Sequence, residues 1–238
     1  MSGWLRIAHR GASGHAPENT LASFQKALEI GVDGVEMDAR LTADGHAVVM
    51  HDGTLDRTTD MKGRVDELTL AQIQQADAGG GERVPTLQEA LSILPSGVLA
   101  VVEIKAVAAA GPSARILSDL GKSAEALAIS FLPDALPAVR AVDAGIQTGL
   151  IVGQRLAEGD AENGLAMLEA ARALGTSAVS CNWRTATPET VEAIHAAGGT
   201  IGVWTPNDPR HIRQAIQAGV DAVTSDYPDR LNDARSVN

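Results

Sequence analysis

The sequence predicts an α/β protein of the (β/α)8 TIM-barrel class, on three observations. First, helical stretches end repeatedly in glycine with a β-type run close behind. Examples are Glu29-Ile30-Gly31-Val32-Asp33-Gly34-Val35, Asp143-Ala144-Gly145-Ile146, Ala173-Leu174-Gly175-Thr176, Ala196-Ala197-Gly198-Gly199 and Gln217-Ala218-Gly219-Val220-Asp221-Ala222-Val223. Glycine past a helix end accepts the left-handed conformation at little cost, and short connections of this kind join αβ units. Second, the chain divides into eight short apolar strands separated by helical patterns, which favours a parallel sheet. Third, charged residues crowd the C-terminal ends of those strands, where a β/α barrel collects its working groups. Periodicity by itself also allows a doubly wound open sheet.

Taken in order, strands are expected at 5–8, 34–41, 98–104, 126–130, 147–152, 178–181, 200–204 and 221–225. The first helix runs from a cap at Asn19 or Thr20 to Ile30, with Leu21, Phe24, Ala27 and Leu28 on one stripe. Further helices are expected at 86–94, 133–142, 161–174, 188–196 and 208–217. The unit between the third and fourth strands is the weakest: 107–111 is small and apolar, and 113–120 is a short helix at best. The second strand turns back through Ala43-Asp44-Gly45-His46, an Asp-Gly hairpin signal. Residues 53–85 read as a compact, irregular insertion with one short helix near 70–75, too short for a core of its own. Residues 1–238 are expected to form one domain that carries this insertion.

Composition narrows the function. With 238 residues, 45% of them apolar, the chain can bury a sizeable core. No apolar run is long enough to span a bilayer, so membrane insertion is not expected. The N-terminus lacks a basic segment followed by an apolar one, and Cys181 is the only cysteine; both suit a reducing cytoplasm. Cys181 itself lies in an apolar strand pattern and reads as core. A formal charge of −11 and 3% aromatic residues exclude a nucleic-acid partner, which needs a basic footprint and stacking platforms. A small phosphate ligand remains compatible, because one Arg, one Lys and a cation can reverse the potential locally.

The chemistry is concentrated at the strand ends. In Gly34-Val35-Glu36-Met37-Asp38, side chains alternate between faces, so Glu36 and Asp38 point one way while Val35 and Met37 point the other. The same alternation puts Glu103 and Lys105 on one face of the third strand. Carboxylates crowded on one face repel each other, and a divalent cation relieves them; an all-oxygen set suits Mg²⁺ or Ca²⁺ better than zinc. His9-Arg10 closes the first strand, and the hairpin delivers His51-Asp52 to the same end. Two imidazoles without an adjacent Ser or Cys nucleophile suggest a general acid and base, with Asp52 as partner of His51. Arg10 and Lys105 suit an anion, and Trp204 can wall an apolar moiety. Together these groups describe phosphoester cleavage. Simpler readings compete residue by residue: Arg10 as an ion pair with Glu36 or Asp38, Lys105 as a salt bridge to Glu103, and Trp204 as core.

The motifs also resemble a known family, the glycerophosphodiester phosphodiesterases. The resemblance lies in His9-Arg10-Gly11 with Pro17-Glu18-Asn19-Thr20, Glu36-Met37-Asp38, His51-Asp52-Gly53-Thr54-Leu55-Asp56-Arg57-Thr58, Glu103-Ile104-Lys105, Trp204-Thr205-Pro206-Asn207, and Gly219-Val220-Asp221 through Asp226-Tyr227-Pro228. They follow the family's order over nearly the whole chain. The resemblance implies a barrel that uses one divalent cation, Mg²⁺ or Ca²⁺, to hydrolyse glycerophosphodiesters to glycerol 3-phosphate and an alcohol. It implies metal ligation by Glu36, Asp38 and Glu103, acid–base roles for His9 and His51, and phosphate contact by Arg10 and Lys105. The alanine-rich stretch 107–111 departs from it, since more polar residues are expected after the third strand. Two alternatives stay open: a phospholipase D-like or cyclising phosphodiesterase on the same barrel, and a non-catalytic phosphate-ligand sensor. The lack of an exposed apolar lip argues against a phospholipase. The alcohol, the metal, the order of the histidine roles and the oligomeric state are not readable from the sequence.

Overall fold

The computed structural model describes residues 3–153 and 160–236. Its strands are β1 (Leu5–Ala8), β2 (Gly34–Leu41), β3 (Ala47–Val49), β4 (Leu99–Ile104), β5 (Ala126–Ser130), β6 (Gln147–Val152), β7 (Ala178–Asn182), β8 (Thr200–Trp204) and β9 (Ala222–Ser225). The α-helices are α1 (Leu21–Ile30), α2 (Leu70–Ile73), α3 (Leu87–Ser92), α4 (Val107–Asp119), α5 (Ala135–Val142), α6 (Ala161–Ala173), α7 (Pro188–Ala196), α8 (Pro209–Ala218) and α9 (Pro228–Ser236). All strands but β3 pair in parallel, and β1 bonds to both β9 and β2. That closure makes an eight-stranded β/α barrel and rules out the open sheet. β3 lies antiparallel on the C-terminal end of β2, with Ala39 opposite Val49 and Leu41 opposite Ala47.

Local chemistry sets the element boundaries. Thr20 caps α1 through a reciprocal pair of hydrogen bonds with Ser23, and Gly31 ends the helix at φ +83°. The same Thr-plus-three device starts α3, from Thr86 to Glu89. Gly11 is required for another reason: a Cβ there would sit 2.5 Å from the Ser23 backbone. It lets the chain after β1 pass close to the start of α1.

Two expectations are corrected. The segment after β4 is a single 13-residue helix, α4, running through Pro112. The missing proline N–H forfeits one backbone bond, but alanine is the best helix former, and Ala109, Ala110, Ser113, Ala114 and Leu117 are buried along the helix. Packing and propensity together outweigh the break. The insertion is also better packed than its sequence suggests. Leu55, Val65, Ile73, Ala76, Ala78 and Val84 cluster against Val48 and Met50 of the hairpin, so its small core leans on the barrel.

Outside the barrel, Phe24, Val35, Met37, Leu91, Val102, Ile104 and Leu117 form part of one buried shell. Inside it, Ile7, Val101, Ile129 and Ile151 form a thin apolar layer. Below that layer the small residues Gly149, Ala178, Gly202 and Ala222 leave a largely apolar cavity of about 260 Å³ at the N-terminal end. The ionisable clusters lie at the other end. Cys181 is 1% exposed, and burial pushes its thiol up to about 12, as a core residue requires. Among the described residues no helix is long and apolar enough to cross a membrane. Phe24 has no exposed surface. Phe24→Ala should therefore destabilise the fold by about 3–5 kcal/mol in urea denaturation, and a loss below about 1 kcal/mol would contradict this packing.

Candidate active site

The register of the sheet brings the acids together. Asp38 on β2 stands opposite Glu103 on β4, and Glu36 lies one inward position below. Val35, Met37 and Ala39, on the outward face of β2, are fully buried. Glu36 and Asp38 are 3% and 0% exposed and Glu103 is 9% exposed. One oxygen from each of the three carboxyl groups lies within 4.8 Å of the others. Glu36 Oε2 accepts the Arg10 backbone N–H at 2.8 Å, and Asp38 Oδ2 accepts from Asn19 Nδ2 at 2.8 Å. Glu36 Oε1 and Asp38 Oδ1 are buried and accept no hydrogen bond. Lys105 Nζ is 3.6 Å from Asp38 Oδ1 and bonds Glu103 Oε1 at 2.6 Å.

Burial and the neighbouring charge of Asp38 raise Glu36 to about 8. The ionised form of Glu36 therefore calls for a further positive charge nearby. Two orphaned oxygens in an all-carboxylate set fit a hard divalent cation.

Both imidazoles are braced by aspartates. His9 follows β1, and its Nδ1 lies 2.6 Å from Asp226 Oδ1, just beyond β9. Asp226 also accepts from Ser13 Oγ at 3.0 Å and Asn207 Nδ2 at 2.5 Å. Burial opposes the charged form of His9, but the Asp226 hydrogen bond and the Glu36 carboxylate outweigh it and its pKa is raised. His9 Nε2 faces Glu36 Oε2 at 4.0 Å. Burial likewise works against ionised Asp226, yet its bond to His9 holds it down at about 2. His51 leaves the hairpin with Nδ1 at 2.6 Å from Asp52 Oδ1. The Arg40 guanidinium grips the His51 carbonyl from Nε and Nη2 at 2.9 and 2.7 Å. Asp52 sits well below the usual carboxylate range, chiefly through its bond from Arg57.

A cavity of about 220 Å³ collects His9, Arg10, Glu36, His51, Glu103, Lys105 and Trp204. Asp38 lies beneath it, in contact with Arg10 and Lys105. All eight residues singled out in the sequence thus meet at one rim. The competing ion pairs are present too: Arg10 bonds Glu18 at 2.8 Å, and its Nε lies 3.3 Å from Asp38. Sequence reasoning missed Asp226, Asn207, Glu18 and Asn19 as partners of these groups. Asp226 ends a strand and was open to the same rule that found the others. Glu18 and Asn19 sit in the loop before α1, where no periodicity marks them. Phe131 and Leu132 were missed as well. They are 43% and 37% exposed, and Phe131 makes an edge-on contact with Trp204 at 5.8 Å between ring centroids. The expectation that the protein lacks an exposed apolar lip is therefore corrected: Phe131, the residue after β5, lines the cavity and carries exposed apolar surface there.

Neutralising charge and moving protons at one barrel rim is what hydrolysis of a phosphoric ester demands. Comparison narrows the class. Residues 9–230 match the profile of the Glycerophosphoryl diester phosphodiesterase family. A glycerophosphodiester phosphodiesterase of Caldanaerobacter subterraneus subsp. tengcongensis is 34% identical over 242 residues, covering 95% of this chain and 96% of that protein. The structure of an Oleispira antarctica phosphodiesterase in complex with the product sn-glycerol-3-phosphate aligns with a TM-score of 0.86 at 31% identity, over 97% of this chain and 96% of its own. The structure of a glycerophosphodiester phosphodiesterase from Agrobacterium tumefaciens gives 0.79 at 28% identity, over 94% of this chain and 97% of its own. The chain belongs to the glycerophosphoryl diester phosphodiesterase family.

The His9–Asp226 pair carries a test. Because the folded pKa of His9 lies above 6.5, its stabilising contribution is complete below that pH and is lost as pH rises through the raised value. Asp226→Asn should move the His9 imidazole titration, followed by NMR on protein kept in EDTA, to lower pH. An unchanged or raised midpoint would show that Asp226 does not hold the proton.

Proposed function

We propose that the protein hydrolyses glycerophosphodiesters to glycerol 3-phosphate and an alcohol, with a divalent cation and two histidines. The observation that carries the proposal is the buried trio Glu36, Asp38 and Glu103 with two unbonded oxygens, set between two aspartate-braced imidazoles. Glu36, Asp38 and Glu103 would hold one Mg²⁺ or Ca²⁺, which when bound offsets their charge and polarises the phosphoryl group. Arg10 and Lys105 bind phosphoryl oxygens, and Trp204 with Phe131 walls the apolar side. The product named for the Oleispira antarctica structure supports glycerol 3-phosphate as the part retained after cleavage.

The proton path follows from the bracing bonds. With Nδ1–H donated to Asp226, His9 keeps the Nε2 lone pair facing the cavity. As the new P–O bond forms, it takes a proton from the attacking water, or from the substrate's own glycerol hydroxyl, whose attack gives a cyclic phosphate that a water then opens to glycerol 3-phosphate. His51, protonated and steadied at Nδ1 by Asp52, gives its Nε2 proton to the alcohol oxygen as the old P–O bond breaks. After attack by water the protons balance: one leaves the nucleophile, one joins the leaving group. The buried, unpaired Cys181 supports a cytoplasmic setting, and the insertion at 53–85 is read as part of the same barrel unit.

Hydrolysis of glycerophosphocholine and glycerophosphoethanolamine should stop in EDTA and return with Mg²⁺ or Ca²⁺. His9→Ala and His51→Ala should each lose about 10²–10⁴-fold in kcat. Full turnover in EDTA would remove the cation from the account, and unimpaired alanine variants would remove the acid–base pair. Calorimetry gives a readout apart from catalysis. Because Glu36 is raised to about 8, cation binding at pH 7 should release a proton. Glu36→Gln should abolish that release; equal release in the variant would place the proton elsewhere.

A further inference from the structure

The insertion sends one side chain to the rim that no role above absorbs. Arg57 does not line the cavity, and its side chain is 47% exposed. Its guanidinium nevertheless spans two carboxylates. Nε donates to Asp52 Oδ2 at 2.6 Å and Nη2 to Asp52 Oδ1 at 3.2 Å. On the other edge, Nη1 donates to Glu18 Oε2 at 2.9 Å and Nη2 to Glu18 Oε1 at 2.8 Å. Each carboxylate in turn holds a working group: Asp52 Oδ1 meets His51 Nδ1 at 2.6 Å, and Glu18 Oε1 accepts from Arg10 Nη1 at 2.8 Å. A continuous run, His51–Asp52–Arg57–Glu18–Arg10, joins the hairpin, the insertion and the loop before α1.

Arg57 is 47% exposed, and solvent screening of its ion pairs makes global stability a poor reason for the arrangement. Geometry is a better one. A planar guanidinium offers two bidentate edges at fixed angles, which an ammonium cannot. Remove it, and Asp52 and Glu18 face each other across the vacated space as like charges. Each would turn away, and the imidazole and guanidinium they hold would turn with them.

We propose that Arg57 is a positioning residue that orients His51 and Arg10 together, so that the insertion sets the alignment of proton donor and phosphate grip. The inference rests on the roles assigned above to His51 and Arg10.

The test is steady-state hydrolysis of glycerophosphoethanolamine with saturating cation. Arg57→Ala should lower kcat by about 10²-fold and raise KM, with its urea midpoint unchanged. Asp52→Asn should act mainly on kcat and Glu18→Gln mainly on KM. Arg57→Lys should recover only part of the loss. Guanidinium chloride should restore Arg57→Ala where sodium chloride at equal ionic strength does not, and it should not restore His51→Ala. Wild-type kinetics in Arg57→Ala beside an inactive His51→Ala would overturn the role of Arg57 alone. So would a loss that only follows a lower urea midpoint, or rescue by sodium chloride. Full turnover in His51→Ala would overturn the acid–base reading, and the positioning role with it.

Discussion

Crowding three carboxyl groups into the interior of a barrel sets the terms for everything else at this rim. Ions moved out of water lose several kcal/mol of solvation each, and like charges nearby add to that. The fold tolerates the group because it surrounds it with partial remedies. The Arg10 backbone N–H and the Asn19 amide each take one oxygen, and Lys105 takes another. They do not suffice: two oxygens stay unbonded, and Glu36 is pushed into the range of a weak acid. The residual negative charge is what a cation would answer, and that cation would in turn draw an anionic phosphoryl group, so the cost of the arrangement and its use have one origin.

Barrel closure makes the arrangement possible. Ala8 on β1 pairs with Ser225 on β9 on one side and with Val35 on β2 on the other. The residues just beyond, His9 and Asp226, are 217 positions apart in the chain yet share a hydrogen bond. His9 also faces Glu36 across the β1–β2 seam. The second imidazole arrives differently, on a hairpin clamped by Arg40. One histidine directly follows a barrel strand and the other sits on an appended hairpin, and the bracing of His51 extends through Asp52 to Arg57 of the insertion.

Much of this was legible in the sequence because it depends on short periods. Period-two alternation put Glu36 with Asp38 and Glu103 with Lys105. Glycine after a helix marked the αβ junctions, as Gly31 and Gly219 bear out with φ of +83° and +90°. What escaped depends on contacts between distant segments. Burial of Ala109, Ala110 and Leu117 carried α4 through Pro112 against the local signal. The apolar residues of the insertion, spread from Leu55 to Val84, show no period and become a cluster only against the hairpin. Asp226 was visible as a strand end, but its pairing with His9 required knowing that the first and last strands meet. Glu18 and Arg57 lie in irregular backbone, where spacing carries no information about which carboxylate a guanidinium will reach.

The central claim is that one divalent cation sits among Glu36, Asp38 and Glu103. Anomalous diffraction from crystals soaked in Mn²⁺ tests it most directly. The account predicts one strong peak bonded to an oxygen of all three carboxylates, lost in Glu103→Gln crystals. A peak that leaves out Glu103, or full occupancy at some other cluster with nothing between these acids, would contradict it.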